Sequence, residues 1–343
     1  MSHNYELVLW NRQKKIYDRI MGGLMLLYLL CFAVLQILFY PQITAETLII
    51  RATGSLAFLM LHLILCIGPL SRLQPRFLPI LYNRRHLGVS MFLVALVHGV
   101  FNTIQFHALG NRDPILSLFT SNLHYDSFAN FPFQTLGFIA LLILFLMAAT
   151  SHDFWLKNLS PRIWKGLHMM VYLAYALLVL HVLLGIGQLE TASLRLGIVG
   201  AGVLLVTGLH LSAALIGNRR ERAIKPEPER DFVRVCPVED ISDQCATTVM
   251  IGEENIALFR YDGQVSAVSN LCRHQNGPLG EGKIVNGCIT CPWHGYQYLP
   301  HNGQSPPPFE EKLETYDVQI REGIVYVNPK AYAPGTERPP TKI

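Results

Sequence analysis

Residues Leu271–Tyr298 read LCRHQNGPLGEGKIVNGCITCPWHGYQY. The stretch sets Cys272-Arg273-His274 ahead of Cys291-Pro292-Trp293-His294, with sixteen residues between His274 and Cys291. Each pair joins one thiolate to one imidazole at the tip of a loop. Zinc accepts two thiolates and two imidazoles, but finger-type zinc sites keep their cysteines together and their histidines together. Mixed pairs suit a [2Fe–2S] cluster with one iron held by sulfur and the other by nitrogen. Cys272, His274, Cys291 and His294 are therefore the expected metal ligands.

The C-x-H…C-P-W-H-G pattern, with Gly277-Pro278-Leu279 behind the first pair, resembles the Rieske iron–sulfur family over roughly residues 231–330. In high-potential members of that family a second cysteine pair bridges the loops and a serine follows His-Gly. Here Gln275-Asn276-Gly277 follows the first histidine, Trp293 fills the other bridge position and Tyr296 replaces the serine. The resemblance thus implies a low-potential, ferredoxin-like cluster. Short β-type runs surround the loops: Phe232–Val235, Ala246–Ile251, Ile256–Tyr261, Gln264–Val268 and Tyr316–Val327. Asp262-Gly263 and Glu322-Gly323 mark hairpin turns between them. These runs predict a small all-β antiparallel sandwich over residues 231–331, with the ligand loops at one end. The Pro306–Pro308 run is a candidate third loop over the cluster, and residues 332–343 read as a loosely ordered tail.

The rest of the chain has a different character. Half of the 343 residues are hydrophobic and only 15% are charged, too apolar for an ordinary soluble protein. Residues 231–330 carry 7 Lys+Arg against 13 Asp+Glu, while the remainder carries 21 against 11. An acidic soluble domain therefore follows a basic, membrane-like one, and nothing points to nucleic acid. Of the seven cysteines, Cys31 and Cys66 lie in apolar runs, and Cys236, Cys245 and Cys288 read as small buried hydrophobes. No disulfide framework is evident. Residues 1–19 are polar and charged with no small-residue cleavage site, so they read as a cytoplasmic segment ahead of an uncleaved first span.

Six apolar runs are long enough to cross a bilayer, which takes about 20 helical residues. They are Ile20–Tyr40, Leu48–Leu70, His86–His107, Phe133–Thr150, Leu167–Gly187 and Leu196–Gly217, predicting a six-helix transmembrane bundle over residues 20–217. Arg12, Lys14, Lys15, Arg19, Arg72, Arg76, Arg84, Arg85, Lys157, Arg162, Lys165, Arg219, Arg220 and Arg222 fall on one side of these runs. Only Arg51, Arg112 and Arg195 fall on the other. The positive-inside rule then puts both termini in the cytoplasm, as expected of a multi-pass protein of the bacterial inner membrane. Residues 108–132 form the longest outer loop, either an outward-facing site or a cap. Residues 218–230 read as a short charged linker that keeps the soluble domain close to the membrane.

Histidine inside a span is costly and usually functional. His62, His86, His98, His107, His168, His181 and His210 all fall in the apolar runs or at their edges. His98 on the third run and His181 on the fifth lie at matching depth in the outer half, so a porphyrin between those helices could take one imidazole from each. His168 lies thirteen residues before His181, about 20 Å along one continuous helix. His107 and His210 read as hydrogen-bonded structural residues.

Ile67-Gly68-Pro69-Leu70-Ser71-Arg72-Leu73, Arg84-Arg85-His86-Leu87-Gly88 and Trp164-Lys165-Gly166-Leu167-His168 resemble the ferric-reductase-like transmembrane domain over about residues 45–190. Within that superfamily the resemblance is closest to the haem subunit of periplasmic methionine sulfoxide reductase systems, whose haem histidines match His98, His168 and His181. It implies haem b: one at His98 and His181, and a second, inner haem through His168. Two-haem members carry a further histidine where Arg84 falls here, with His86 and His62 as alternatives. The chain has no Gly-rich dinucleotide fingerprint. The expected function is a transmembrane electron-transfer oxidoreductase, taking electrons from a soluble cytoplasmic donor (a ferredoxin or reductase) through the cluster to haem and an outer-side acceptor. A quinone-linked membrane oxidoreductase and a non-enzymatic redox sensor are the alternatives.

Overall fold

The computed structural model describes residues 12–74, 77–81, 83–127, 130–151, 159, 161–187, 193–220, 231–274, 277–292, 295–307 and 309–343. Of the residues singled out above, Arg76, Lys157, Arg222, Gln275, Asn276, Trp293, His294 and Pro308 lie outside that set. Two compact units emerge, one of residues 12–67 and 83–210, the other including residues 68–82 and 211–343.

The main helices are α1 (Arg12–Phe39), α2 (Ala45–Leu73), α3 (Arg84–Thr103), α4 (Phe133–Ala149), α5 (Val171–Gly187) and α6 (Ser193–Arg220). The apolar side chains of α1 point outward on all sides: Leu24, Leu26, Leu30, Ile37 and Phe39 are all exposed. A helix that is hydrophobic all round is stable only in an apolar surround. Five stretches, Lys15–Phe39, Ala45–Leu73, Arg84–Ala108, Gly166–Ile186 and Leu196–Leu215, are long and apolar enough to cross a membrane. The expected sixth, α4, is as apolar but has only 17 residues, so the count of six is not reached on length.

Three details depart from the sequence reading. Residues 167–187 are not one helix. Pro161–Met169 forms a separate helix ahead of α5, and the Met170 N–H donates to Leu167 O at 3.1 Å, a three-residue reach that tightens the turn between them. At the other end of the bundle α3 closes in a π turn, Ile104–Ala108, which turns His107 inward. Finally, α6 continues through 218–220, so the expected linker begins as helix; residues 221–230 lie outside the described set. The outer loop contains a short helix, Pro114–Thr120, whose Asp113 cap accepts the N–H groups of Ile115 and Leu116 at 3.0 Å.

Among the described residues the β part has eleven strands: β1 (Val233–Pro237), β2 (Ala246–Ile251), β3 (Glu254–Tyr261), β4 (Gln264–Ser269), β5 (Lys283–Val285), β6 (Cys288–Thr290), β7 (Gln297–Tyr298), β8 (Thr315–Tyr316), β9 (Val318–Arg321), β10 (Ile324–Val327) and β11 (Thr341–Lys342). They pair antiparallel as β1-β10-β9, as β11-β4-β3-β2 with β8 also on β4, and as β5-β6-β7. Both residues of Asp262-Gly263, Asn286-Gly287 and Glu322-Gly323 have positive φ, the twist that a two-residue hairpin requires.

Strand periodicity explains how these sheets stack. Ile256 and Leu258 of β3 point into one core with Val233, Val325 and Val327. Ala257, Phe259 and Tyr261 point into the other, with Cys272, Leu279, Ile289, Cys291 and Tyr298. A strand buried on both faces reads as a continuous apolar run, as β3 does. The tail after Ala331 is ordered, contrary to expectation. Pro339-Pro340 hold the backbone extended, β11 pairs with Gln264 and Val265 of β4, and the Arg338 guanidinium lies 3.4 Å from the centre of the Tyr332 ring.

Candidate functional site

The two ligand loops close by the same backbone device. Cys272 N–H donates to Gly277 O at 2.9 Å and Cys291 N–H donates to Tyr296 O at 2.8 Å, each reaching five residues along the chain. A bridge between Leu271 and Pro278 seals the base of the first loop. Gly295, at φ +73°, lets the second turn back so that its N–H meets Cys291 O at 2.9 Å. Two more glycines hold the loops to the sheets. A Cβ on Gly280 would lie 2.2 Å from Thr248 Cγ2, and one on Gly282 would lie 2.2 Å from the backbone oxygen of Thr290, next to Cys291.

Cys272 and Cys291 are each 1% exposed and share one core with Tyr296 and Tyr298. The Tyr298 hydroxyl lies 3.3 Å from Cys272 Sγ, and burial followed by the nearby Cys272 pushes its pKa up, so it stays a phenol. His274 stacks flat on Tyr296, with ring centres 4.7 Å apart and planes 7° apart. Tyr296 in turn donates its hydroxyl to Glu311 and meets the edge of Phe309 at 5.0 Å. Phe309, beside the proline run expected as a third loop, thus backs the ring against which His274 lies. Arg273 pairs with Glu314, tying the first loop to the approach of β8.

Among the described residues, no three His, Cys, Asp or Glu side chains converge on one point. A two-iron cluster divides its protein ligands between the irons. Two buried thiols and one pinned imidazole fit the sulfur–nitrogen division of a [2Fe–2S] cluster; the fourth expected ligand, His294, lies outside the described residues. The other cysteines of this unit are poorer ligands. Burial, and then Asp240, pushes the Cys236 thiol up to about 11, and burial raises Cys245 and Cys288 as well.

In the helical unit several histidines are engaged through both ring nitrogens. A carbonyl can only accept, so an Nδ1 bonded to one carries the proton and leaves Nε2 with its lone pair. His62 donates to Phe58 O at 2.9 Å and accepts from the Tyr175 hydroxyl at 3.1 Å. His168 donates to Trp164 O at 3.0 Å and meets the Ser151 hydroxyl at 3.4 Å. His210 donates to Val206 O at 2.9 Å and meets the Tyr172 hydroxyl at 3.3 Å. His107 is buried between Ser117 and Gln134, and His86 pairs through Nδ1 with Asp18 at 2.8 Å.

His98 and His181 differ from all of these. Each donates Nδ1–H to a backbone oxygen on a neighbouring helix, His98 to Ile50 at 2.9 Å and His181 to Phe133 at 2.8 Å. Among the described residues, no donor meets the Nε2 of either. Their ring centres are 6.3 Å apart. A metal bonded to one nitrogen of each ring, at ~2.0 Å per bond, separates two imidazole centres by about 6 Å. Orientation of a ligating imidazole by a carbonyl on its far nitrogen is the usual support of a metal-bound histidine. The pair could therefore hold a metal through one nitrogen of each ring. His168, on the separate Pro161–Met169 helix, is not brought to them.

Sequence reasoning missed Tyr298, which was visible only as a tyrosine four residues after His294. It also missed the oxygens of Ile50 and Phe133, which no side-chain pattern reports.

Comparison with known proteins bears on both units. Residues 231–317 match the Rieske [2Fe-2S] domain, and residues 53–179 match the ferric reductase like transmembrane component. The chain is 35% identical over 95 residues to the 3-phenylpropionate/cinnamic acid dioxygenase ferredoxin subunit of Photorhabdus laumondii, covering 27% of this chain and 90% of that protein. It is 28% identical over 106 residues to the ferredoxin component of the alkene monooxygenase system of Xanthobacter autotrophicus, covering 30% and 87%. The solved ferredoxin of carbazole 1,9a-dioxygenase from Nocardioides aromaticivorans is 25% identical, with a TM-score of 0.28, over 29% of this chain and all of that one. With a β unit built around two such loops and a helical unit of membrane-spanning length, the chain belongs to the Rieske [2Fe-2S] family through residues 231–317 and carries a ferric reductase like transmembrane component over residues 53–179.

Proposed function

We propose that this integral membrane protein is an electron-transfer oxidoreductase that carries electrons from a soluble cytoplasmic donor, a ferredoxin or a reductase, to an acceptor on the outer side. The observation that carries the reading is that His98 and His181, each held through Nδ1 by a backbone oxygen of a neighbouring helix, set their rings 6.3 Å apart. In this reading Cys272, His274, Cys291 and His294 hold a [2Fe–2S] cluster, His98 and His181 hold a haem b, and α4 serves as the sixth span. When bound, both groups supply one-electron chemistry with no group transfer.

The protein's own part is position and environment. Burial of Cys272 and Cys291 keeps water from the sulfur side. The flat contact with Tyr296 fixes the His274 plane, and the Tyr298 hydroxyl donates to a cysteine sulfur once that sulfur is a thiolate. With a tyrosine where high-potential relatives carry a serine, the cluster remains of the low-potential kind. The basic loops on one side of the spans support a cytoplasmic side for both termini in a bacterial cell.

Anaerobic rapid mixing of the purified chain with a reduced ferredoxin tests this. The cluster bands should bleach before the haem bands change. Haem reduced ahead of the cluster, or by quinol alone, would favour a quinone-linked enzyme. A cluster that cycles while the haem stays oxidised would favour a redox sensor.

A further inference from the structure

We propose that Gly54 and Gly137 are the positioning residues of the two facing imidazoles, each forming a seat one side chain deep in a helix face. The proposal rests on the reading that His98 and His181 ligate haem. A Cβ on Gly54 would lie 2.7 Å from His98 Nδ1 and 2.8 Å from its Cε1. A Cβ on Gly137 would lie 2.8 Å from both His181 Nδ1 and Cε1. Those are the same two ring atoms in both cases, and real Cβ atoms essentially never come so close to another heavy atom.

The seats are two copies of one device. Ile50, whose oxygen takes the His98 proton, is four residues before Gly54, and Phe133, whose oxygen takes the His181 proton, is four before Gly137. In an α-helix the carbonyl four residues back lies directly below its partner on the same face. The glycine thus lets the ring sink against the helix until Nδ1 reaches that carbonyl's second lone pair. Histidine and acceptor are 48 residues apart in both copies. All three positions of the first copy (Ile50, Gly54, His98) recur 83 residues later as Phe133, Gly137 and His181. Chance contact between helices gives no reason for three positions to share one offset.

Ordinary helix packing does use small residues. Gly99 provides the comparison, since a Cβ there would lie 2.7 Å from Leu141 Cδ2, as close a contact but with no imidazole involved. Both histidines would hold the haem through Nε2 only while Nδ1 stays on its carbonyl. A methyl group at either seat lifts the ring off the carbonyl and turns Nε2 with it. A merely structural glycine has no such effect on the electronic state of the iron.

The test uses the full-length chain in detergent, with haem per chain, the low-spin EPR signal and the haem midpoint measured for Gly54→Ala, Gly137→Ala and Gly99→Ala. The two seat variants should lose the wild-type low-spin signal or shift its g values and midpoint, while Gly99→Ala keeps all three. Seat variants with wild-type spectra and midpoint would overturn the proposal, as would equal losses in all three. A further pair guards against misfolding from overpacking. In His98→Gly the methyl of Gly54→Ala has no ring to meet, so the double variant is not crowded. Added imidazole should restore a low-spin signal to His98→Gly and not to the double variant; rescue of both would also overturn the proposal. If His98→Ala and His181→Ala themselves retain wild-type haem, the haem reading fails first. If they lose it while the glycine variants do not, only the seats fail.

Discussion

The Tyr298 hydroxyl reaches across from the second ligand loop to within 3.3 Å of the Cys272 sulfur on the first. An iron-bound thiolate has no proton, so the phenol donates, and the bond stabilises the more negative, reduced cluster. Such a bond has a net value of about 1 kcal/mol, on the order of 40 mV for one electron. Tyr298→Phe should therefore keep the cluster and lower its midpoint by roughly that amount. An EPR-monitored redox titration decides the matter, and an unchanged or higher midpoint would count against it.

Gly282 allows the first loop to lie against the backbone of Thr290, which cannot swing aside as a side chain could. Gly282→Ala should cost about 3 kcal/mol, the upper part of the overpacking range. Gly263→Ala has open space around it and only a φ of +71° to oppose it, so it should cost about 1 kcal/mol. Thermal bleaching of the cluster's visible circular dichroism should show Gly282→Ala failing at clearly lower temperature than Gly263→Ala. The reverse order would mean that the loop has room to shift.

Cys236, Cys245 and Cys288 should be dispensable. Their thiols are pushed up by burial, so all three are protonated at neutral pH and are weak ligands. Because the folded Cys236 value, about 11, is above the ordinary 9.0, the stability it contributes is complete below pH 9. That contribution is lost as pH rises towards 11. Each cysteine-to-alanine variant should retain the wild-type cluster EPR signal, and Cys236 should resist alkylation until the pH approaches about 11. Loss of the cluster in any one of them would show that the ligand set is wrong.

Much of the cluster site was legible in the sequence because its chemistry is local. Two Cys–His pairs on short loops are visible without knowing what packs around them. The strands β5, β6 and β7 were not legible, since two or three residues carry no periodicity. Asn286-Gly287 was the sign that a hairpin led into Cys291. The order of the tail was hidden by its prolines, which suggest looseness unless an edge strand is available to receive them. In the membrane, the matching depths of His98 and His181 followed from helix counting. The break at Met170 did not, because no proline or glycine marks it. Nor did Gly54 and Gly137, which look like ordinary small residues until an imidazole is found against each.

The same 83-residue offset bears on the inner haem. Applied to His168 it points to Arg85, one residue on from the Arg84 that the family resemblance suggested. Arg84 and Arg85 lie near enough for their charges to act on His168, whose Nε2 faces the Ser151 hydroxyl. A guanidinium does not ligate iron, so neither Arg84 nor Arg85 supplies a second ligand opposite His168. His62, the other candidate for an inner ligand, accepts from the Tyr175 hydroxyl. The purified chain should thus carry one low-spin haem b. His98→Ala or His181→Ala should abolish its spectrum, and His168→Ala should leave haem content and low-spin signal at wild-type levels. Pyridine haemochrome analysis against protein concentration, read beside the EPR spectrum of each variant, is the measurement. Two haems per chain, or loss of one in His168→Ala, would make His168 an inner haem ligand.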